Sequence, residues 1–144
     1  MQPGIARIIG AGVLGTLVMT AVGLYAAPMM GIPAMNPADM LASKMGGVTV
    51  LGWMGHLMIG VVLALGYAKL FLPRLPGPPV ARGALFSLIP WLMAQLLVMP
   101  MMGMPLFSGS VALAGGSLIG HLMYGAVLGG VAGNGAAPRG ARAQ

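Results

Sequence analysis

The sequence predicts an all-α polytopic membrane protein whose four transmembrane helices form two tandem, parallel helical hairpins. The first indication is composition, because 58% of the residues are hydrophobic and only 6% are charged, whereas about a quarter of a soluble domain is charged. The second is the placement of the charges, which leaves residues 8–38, 45–68 and 83–138 uncharged. A helix of about 20 apolar residues crosses roughly 30 Å of hydrocarbon, so the first two stretches each hold one helix and the third holds two.

The third indication is an internal repeat. Residues 55–63 read G-H-L-M-I-G-V-V-L and residues 120–128 read G-H-L-M-Y-G-A-V-L, so seven of nine positions are identical. A proline–methionine motif precedes each copy, P-M-M-G-I-P at residues 28–33 and P-M-M-G-M-P at residues 100–105. Because both motifs occur in the same order, we interpret the chain as a tandem duplication.

The first hairpin is expected to occupy residues 1–72. Its transmembrane helices cover about residues 5–30 and 48–72. We expect the first of them to remain uncleaved, because a signal peptide would need a small residue where Leu24 or Tyr25 lies.

A short surface helix is expected between these two helices, at about residues 37–45. Asn36 is a residue type that caps helices, and Pro37 suits the first helical turn. Asp39 is favoured near the positive end of a helix.

A proline-rich segment at residues 73–82, P-R-L-P-G-P-P-V-A-R, is expected to link the hairpins on the cytoplasmic side. The second hairpin then occupies residues 83–133, with transmembrane helices at about 83–102 and 111–131. Residues 134–144 are expected to form a disordered basic tail.

Basic residues predict the orientation of these helices. Only Lys44 falls on the side of the membrane opposite to all the others. The others are Arg7, Lys69, Arg74, Arg82, Arg139 and Arg142. The positive-inside rule therefore places both termini in the cytoplasm of a bacterial inner membrane. Two hairpins of equal orientation are expected to be related by a pseudo-two-fold axis along the membrane normal.

The composition also excludes several function classes. Cysteine is absent and Asp39 is the only side-chain carboxylate, so neither paired carboxylates nor a cysteine nucleophile is available. We therefore expect no catalytic residues and no enzyme activity. The net charge of +6 lies at helix ends without basic runs, which indicates contact with the lipid bilayer rather than with nucleic acid.

The only two histidines, His56 and His121, are the candidate cofactor-binding residues. We expect both to lie roughly 12–15 Å from the outer helix ends at 1.5 Å per residue, a depth at which an ionisable group is a candidate functional residue. Small residues flank each histidine one turn away, namely Gly52, Gly60, Ser117 and Gly125. Such flanks suit a haem b held by both imidazoles. They equally suit close helix packing, with the histidines bonded to each other, to Gln95 or to a free carbonyl.

Methionine offers an alternative metal site, because thioether sulfur together with imidazole suits Cu(I). The chain has 15 methionines, and several cluster at the outer ends of the first and third helices. The candidate ligands are Met29, Met30, Met101 and Met102, with Met99 and Met104 beside them. The other interpretation is that these side chains fill gaps in apolar packing.

Two prolines interrupt matching helices. Pro28 and Pro100 leave the carbonyl groups of Leu24 and Leu96 without their usual helical donors. Because broken helices at matching places in two repeats can mark a transport site, a small transporter or channel is a further alternative.

The two motifs and the duplicated hairpin resemble small four-helix bacterial inner-membrane proteins of unknown function, over nearly the whole chain. The resemblance implies the fold and a bacterial membrane, but no activity. The sequence thus predicts a non-catalytic component or accessory subunit of a membrane complex, whose histidine pair is structural or ligates one haem b. Other membrane subunits or further copies of the chain are the expected partners.

Overall fold

The computed structural model describes residues 3–133, and within that range the chain is helical without any strand. The helices are α1 (Ile5–Met29), α2 (Pro37–Lys44), α3 (Thr49–Phe71), α4 (Pro79–Met101) and α5 (Val111–Ala132). Four of them, all except α2, are long and apolar enough to cross a membrane. This confirms the predicted all-α class with four such helices. The predicted tail at residues 134–144 lies outside the described residues.

The helix ends follow local sequence signals. Asn36 caps α2, because its side-chain oxygen accepts a hydrogen bond from the Ala38 N–H at 3.1 Å. The third long helix begins at Pro79, inside the segment expected to be linker. Proline is well suited to that position, because N–H groups in the first turn of a helix have no partner within the helix and the N–H that proline lacks is not needed there.

Three of the long helices contain a π-helical turn that ends two residues before a proline. The turns are Val22–Ala26 in α1, Tyr67–Phe71 in α3 and Ala94–Val98 in α4. The first and the third begin 72 residues apart, as do Pro28 and Pro100. Proline cannot bond to the carbonyl four residues earlier and its ring crowds that carbonyl. A widened turn relieves this conflict. The equal spacing favours the tandem-duplication interpretation, which stays a prediction.

The four long helices pack in the order α3–α1–α5–α4. Glycines make the contacts close: Gly83 of α4 lies against Gly125 and Gly129 of α5, and Gly12 of α1 lies against Gly60 of α3. The short helix α2 lies on α3. A strict pseudo-two-fold would repeat the extensive α1–α5 contact between α3 and α4. Those two helices instead have little contact along their length, so the packing departs from that symmetry.

The two ends of the bundle differ. At the linker end, where α3 ends and α4 begins, aromatic rings bring these helices together: the Phe86 ring centroid lies 5.1 Å from that of Tyr67 and 5.0 Å from that of Phe71. The main buried core, including Leu128 and Ala132, lies there as well. At the loop end, where α1 and α4 end and α3 and α5 begin, α3 and α4 lack such a contact, and a cavity lies between the helices.

Candidate functional site

A cavity of about 800 Å³ lies between the four long helices and below the segment that connects α1 to α3. All four helices contribute to its wall, and residues 33–37 and 39–41 cover its loop end. Its described lining is largely apolar, and its polar members include both histidines, Gln95 and Ser108. The structure therefore brings the two predicted site residues to one cavity.

His56 is held by α1 through its Nε2 atom. Nε2 lies 3.0 Å from the Thr20 hydroxyl oxygen, and that hydroxyl donates its own hydrogen to the Thr16 carbonyl at 2.8 Å. Since a hydroxyl has one hydrogen to give, it must accept from the imidazole. His56 therefore carries its proton on Nε2, and Nδ1 is left as an unprotonated acceptor.

His121 is held in the opposite way, by its own helix. Its Nδ1 lies 2.8 Å from the carbonyl oxygen of Ser117, and a carbonyl can only accept. Nδ1 therefore carries the proton, and Nε2 is the unprotonated acceptor. The two histidines thus occur as opposite tautomers, although they occupy the same position in the repeated motif.

A series of hydrogen bonds between side chains connects α5 to α4 beside His121. Gln95 donates from Nε2 to the Ser117 hydroxyl at 3.1 Å, and its Oε1 accepts from the Ser108 hydroxyl at 3.1 Å. Gln95 is only 1% exposed, so both ends of its amide are satisfied inside the protein as a buried polar group requires. The amide fixes the loop that carries Ser108 over the cavity.

The unprotonated histidine nitrogens, Nδ1 of His56 and Nε2 of His121, have no hydrogen-bond partner in the part of the chain that the structure describes. They are not sealed inside the protein either, because the sealed side-chain polar atoms without a partner there are Tyr67 Oη and Arg82 Nε. Both histidines line the cavity. The residues of the cavity wall thus include two imidazoles that each keep an unpaired acceptor nitrogen.

The predicted small flanks serve mainly in helix packing. Gly52 lies against the backbone of α2, and Gly125 lies against α4. Gly60 packs against α1, and Ser117 bonds Gln95, although both also line the cavity. The close contacts at these glycines join the two helices of one hairpin, or a long helix and its neighbouring surface helix.

The predicted copper ligands are not brought to the histidines. Met29, Met30 and Met101 are 88%, 52% and 80% exposed, and neither these three nor Met102 lines the cavity. Other methionines line it instead, namely Met19, Met35, Met40, Met93, Met99 and Met104. Residues 3–133 contain no cluster of three or more histidine or carboxylate side chains that could hold a metal ion.

Sequence reasoning missed three residues of the site. Thr16 and Thr20 are 1% and 2% exposed and lie one turn apart on α1, a polar pair in an apolar helix that could have been noticed. Tyr124 donates from its hydroxyl to the Gly60 carbonyl at 2.7 Å and so connects α5 to α3. It stands where the first copy of the nine-residue motif has Ile59, and this difference between the copies was the available signal.

These features define an all-helical protein with four helices long and apolar enough to cross a membrane and with a histidine-lined cavity between them. Residues 2–141 match the model of a family of unknown function, DUF6789. The chain belongs to this family, which confirms the resemblance to an uncharacterised family. No curated protein and no solved structure matches the chain.

Proposed function

We propose that this protein is a non-catalytic integral membrane protein whose histidine-lined cavity binds an apolar small molecule taken from the bilayer. The observation that carries the proposal is that the only two histidines, His56 and His121, line one cavity of about 800 Å³. Ligand sites in proteins typically measure about 300–1,000 Å³ and combine an apolar wall with a few polar groups. Ionisable side chains inside a membrane are usually functional.

The route of entry is between α3 and α4. These helices have little contact with each other and meet through aromatic rings only at the linker end of the bundle. Exposed apolar side chains border the gap, such as Ile59 of α3 and Met93 of α4, which also line the cavity. In a bilayer this gap would face the acyl chains, so an apolar molecule could enter without crossing water.

The non-catalytic role follows from what the cavity wall offers. Asp39 is the only side-chain carboxylate of the chain, and it is exposed and accepts a hydrogen bond from Asn36 at 2.8 Å. The protonated nitrogen of each histidine is engaged with the wall. The two imidazoles could act as general acid–base groups, but neither is hydrogen-bonded to a carboxylate, and the chain offers no cysteine nucleophile.

The proposal places the protein in a bacterial inner membrane with both termini in the cytoplasm, where it acts alone or as an accessory component of a larger membrane complex. The positions of the basic residues support this orientation, because Arg7, Lys69, Arg74 and Arg82 lie toward the linker end, and Lys44 lies toward the loop end.

Haem b is the second candidate ligand. The free Nε2 of His121 is of the kind that ligates haem iron. The Nε2 of His56, however, is bonded to Thr20, so a bis-histidine haem would require the His56 ring to leave that partner. Copper binding has less support, since the candidate ligands Met29, Met30, Met101 and Met102 do not line the cavity, although the neighbouring Met99 and Met104 do.

The test is a search for the ligand on protein purified in mild detergent. Absorption spectra of the oxidised and reduced protein, metal analysis and mass spectrometry of a solvent extract are made on one sample. We expect a colourless, metal-free protein that carries an apolar molecule. A Soret band lost in His121→Ala would support haem instead.

A cavity-filling variant locates the ligand. Leu63 lines the cavity, whereas its neighbour Val62 is 60% exposed on the outside of α3. Leu63→Trp is expected to abolish co-purification of the molecule, and the matched control Val62→Trp is expected to leave it unchanged. Equal retention by both variants would contradict a ligand in the cavity.

A further inference from the structure

We infer that the cavity is selective for an uncharged lipid whose head group donates hydrogen bonds through hydroxyl groups, with a membrane quinol as the best match. This inference rests on the proposed binding function and names the chemical class of its ligand. It follows from which atoms of the two histidines remain available.

Both imidazoles are acceptors toward the cavity. The donor of His56, Nε2–H, is engaged with Thr20 at 3.0 Å, and the donor of His121, Nδ1–H, is engaged with the Ser117 carbonyl at 2.8 Å. The Gln95 amide is also engaged at both its nitrogen and its oxygen. A ligand head placed between the rings must therefore supply the hydrogens itself, because an acceptor-only head would leave two buried acceptors unpaired.

The charge of the wall excludes anionic heads. Of the described residues that line the cavity, none is a lysine or an arginine, and the one ionisable acid is Asp39. A phosphate or a carboxylate would be buried there without a cation, which is strongly unfavourable. Asp39 is exposed and already pairs with Asn36, so a cationic head at the level of the histidines also lacks a buried partner.

Two acceptors and an apolar wall favour a flat head with two hydroxyl groups. Met19 and Met93 line the cavity beside the histidine-bearing helices, and thioether sulfur packs favourably against aromatic rings. The gap between α3 and α4 would let a long tail remain among the acyl chains. A quinol has this form. A diacylglycerol has one hydroxyl group and could donate only one of the two hydrogen bonds.

The affinity of four probes tests the inference on the full-length protein in detergent. The probes are a decyl-tailed benzoquinol kept under reducing conditions, its oxidised quinone, its dimethyl ether and dioctanoylglycerol, each titrated by calorimetry. The quinol can donate two hydrogen bonds to the imidazoles, whereas the quinone and the ether can donate none. We therefore expect the quinol to bind about 10–100-fold more tightly than the quinone and the ether. Binding of dioctanoylglycerol but not of quinol would support the hydroxyl-head inference and assign the source to glycerides.

Variants can remove the imidazole acceptor nitrogen, shift the remaining acceptor to an amide oxygen at a different position, and keep the wall contact. A glutamine amide nitrogen occupies nearly the position of histidine Nε2, and an asparagine amide nitrogen nearly that of Nδ1. His56→Gln and His121→Asn therefore retain the bonds to Thr20 and to Ser117. We expect each to unfold at nearly the wild-type temperature while its quinol affinity falls about tenfold, toward that of the quinone.

The outcomes separate this inference from the function on which it rests. Quinone, ether and quinol binding with equal affinity, all lost in Leu63→Trp, would overturn the donor requirement and leave the apolar binding function in place. Unchanged quinol affinity in both His56→Gln and His121→Asn would also overturn it. Failure of all four probes, with no molecule co-purifying, would overturn the inference and the proposed function together.

Discussion

A single methyl group added to α5 should show how tightly α4 and α5 are packed. A Cβ at Gly125 would lie 2.7 Å from both the Gly83 carbonyl carbon and the Ser87 Cβ, where ordinary contacts are 3.4–4 Å. It would also meet the Gly83 carbonyl oxygen, so two of the three opposing atoms belong to backbone, which cannot rotate away. On the same helix, a Cβ at Gly115 would have nothing within 4 Å, so Gly115→Ala is a matched control.

The two substitutions should change stability in opposite directions. Replacing a helical glycine by alanine gains about 0.5–1 kcal/mol when there is space, which is the full effect expected for Gly115→Ala. Overpacking a close contact costs about 1–3 kcal/mol. Because the opposing atoms are backbone, we expect Gly125→Ala to fall at the upper end of that range. Its net destabilisation should then be about 1–2 kcal/mol, and the two variants should differ by about 2–3 kcal/mol.

The measurement is the free energy of unfolding in mixed micelles, followed by circular dichroism as the fraction of denaturing detergent is raised. The wild type and both variants must unfold with the same slope for their free energies to be compared. If Gly125→Ala proves as stable as Gly115→Ala, the close approach of α4 and α5 at Gly83 is not present in solution, and the packing order derived from it is wrong.

Three further predictions test the hydrogen bonds around the cavity. Nitrogen-15 NMR of histidine-labelled protein should show His56 protonated on Nε2 and His121 on Nδ1, whereas identical tautomers would refute the assigned donors. Tyr124→Phe should lower the free energy of unfolding by about 1 kcal/mol or more through the lost bond, measured by the same detergent titration, while Tyr25→Phe, at an exposed site, should change it little. Gln95→Leu should leave the buried Ser108 hydroxyl and the half-buried Ser117 hydroxyl without their partner and cost about 1–3 kcal/mol. An unchanged unfolding curve would show that the amide network does not support the fold.

The sequence predicted the helices well because their signals are local. Uncharged apolar stretches of sufficient length set the four long helices, and Asn36 marked the start of α2, where the structure shows its cap. The start of α4 at Pro79 was missed by four residues, since a proline-rich stretch resembles a linker whether or not its last proline begins a helix.

The arrangement of the helices was less predictable, because small residues occur on every long helix. Gly60 and Gly125 were expected to flank a haem or a closely packed helix of unspecified identity, and they pack closely against α1 and α4. Which glycine meets which neighbour depends on the shapes of both surfaces, and the order of residues on one helix does not contain that information.

The candidate site was predicted in part. His56, His121 and Gln95 stood out because polar side chains are rare in the membrane-spanning stretches. Thr20 did not, and Ser117 was predicted only as a small flanking residue, because both act through hydrogen bonds that depend on three-dimensional placement. The histidine tautomers follow from those partners, so no reading of the motif alone could assign them.

The difference between the two histidines is accompanied by a difference in how the two hairpins cover their π-helical turns at Val22–Ala26 and Ala94–Val98. In the first, Gly23 has no side chain, and the backbone of the connecting segment lies directly on it, with the Met35 N–H donating to the Gly23 carbonyl at 3.1 Å. In the second, Gln95 stands at the equivalent position and reaches Ser108 of its connecting loop with a side-chain amide. The same amide also bonds Ser117, the residue that fixes His121. The two copies of the nine-residue motif thus lie in different hydrogen-bonding neighbourhoods, and the two acceptor nitrogens belong to opposite tautomers. This arrangement suits an unsymmetrical ligand better than a symmetric cofactor held between identical imidazoles.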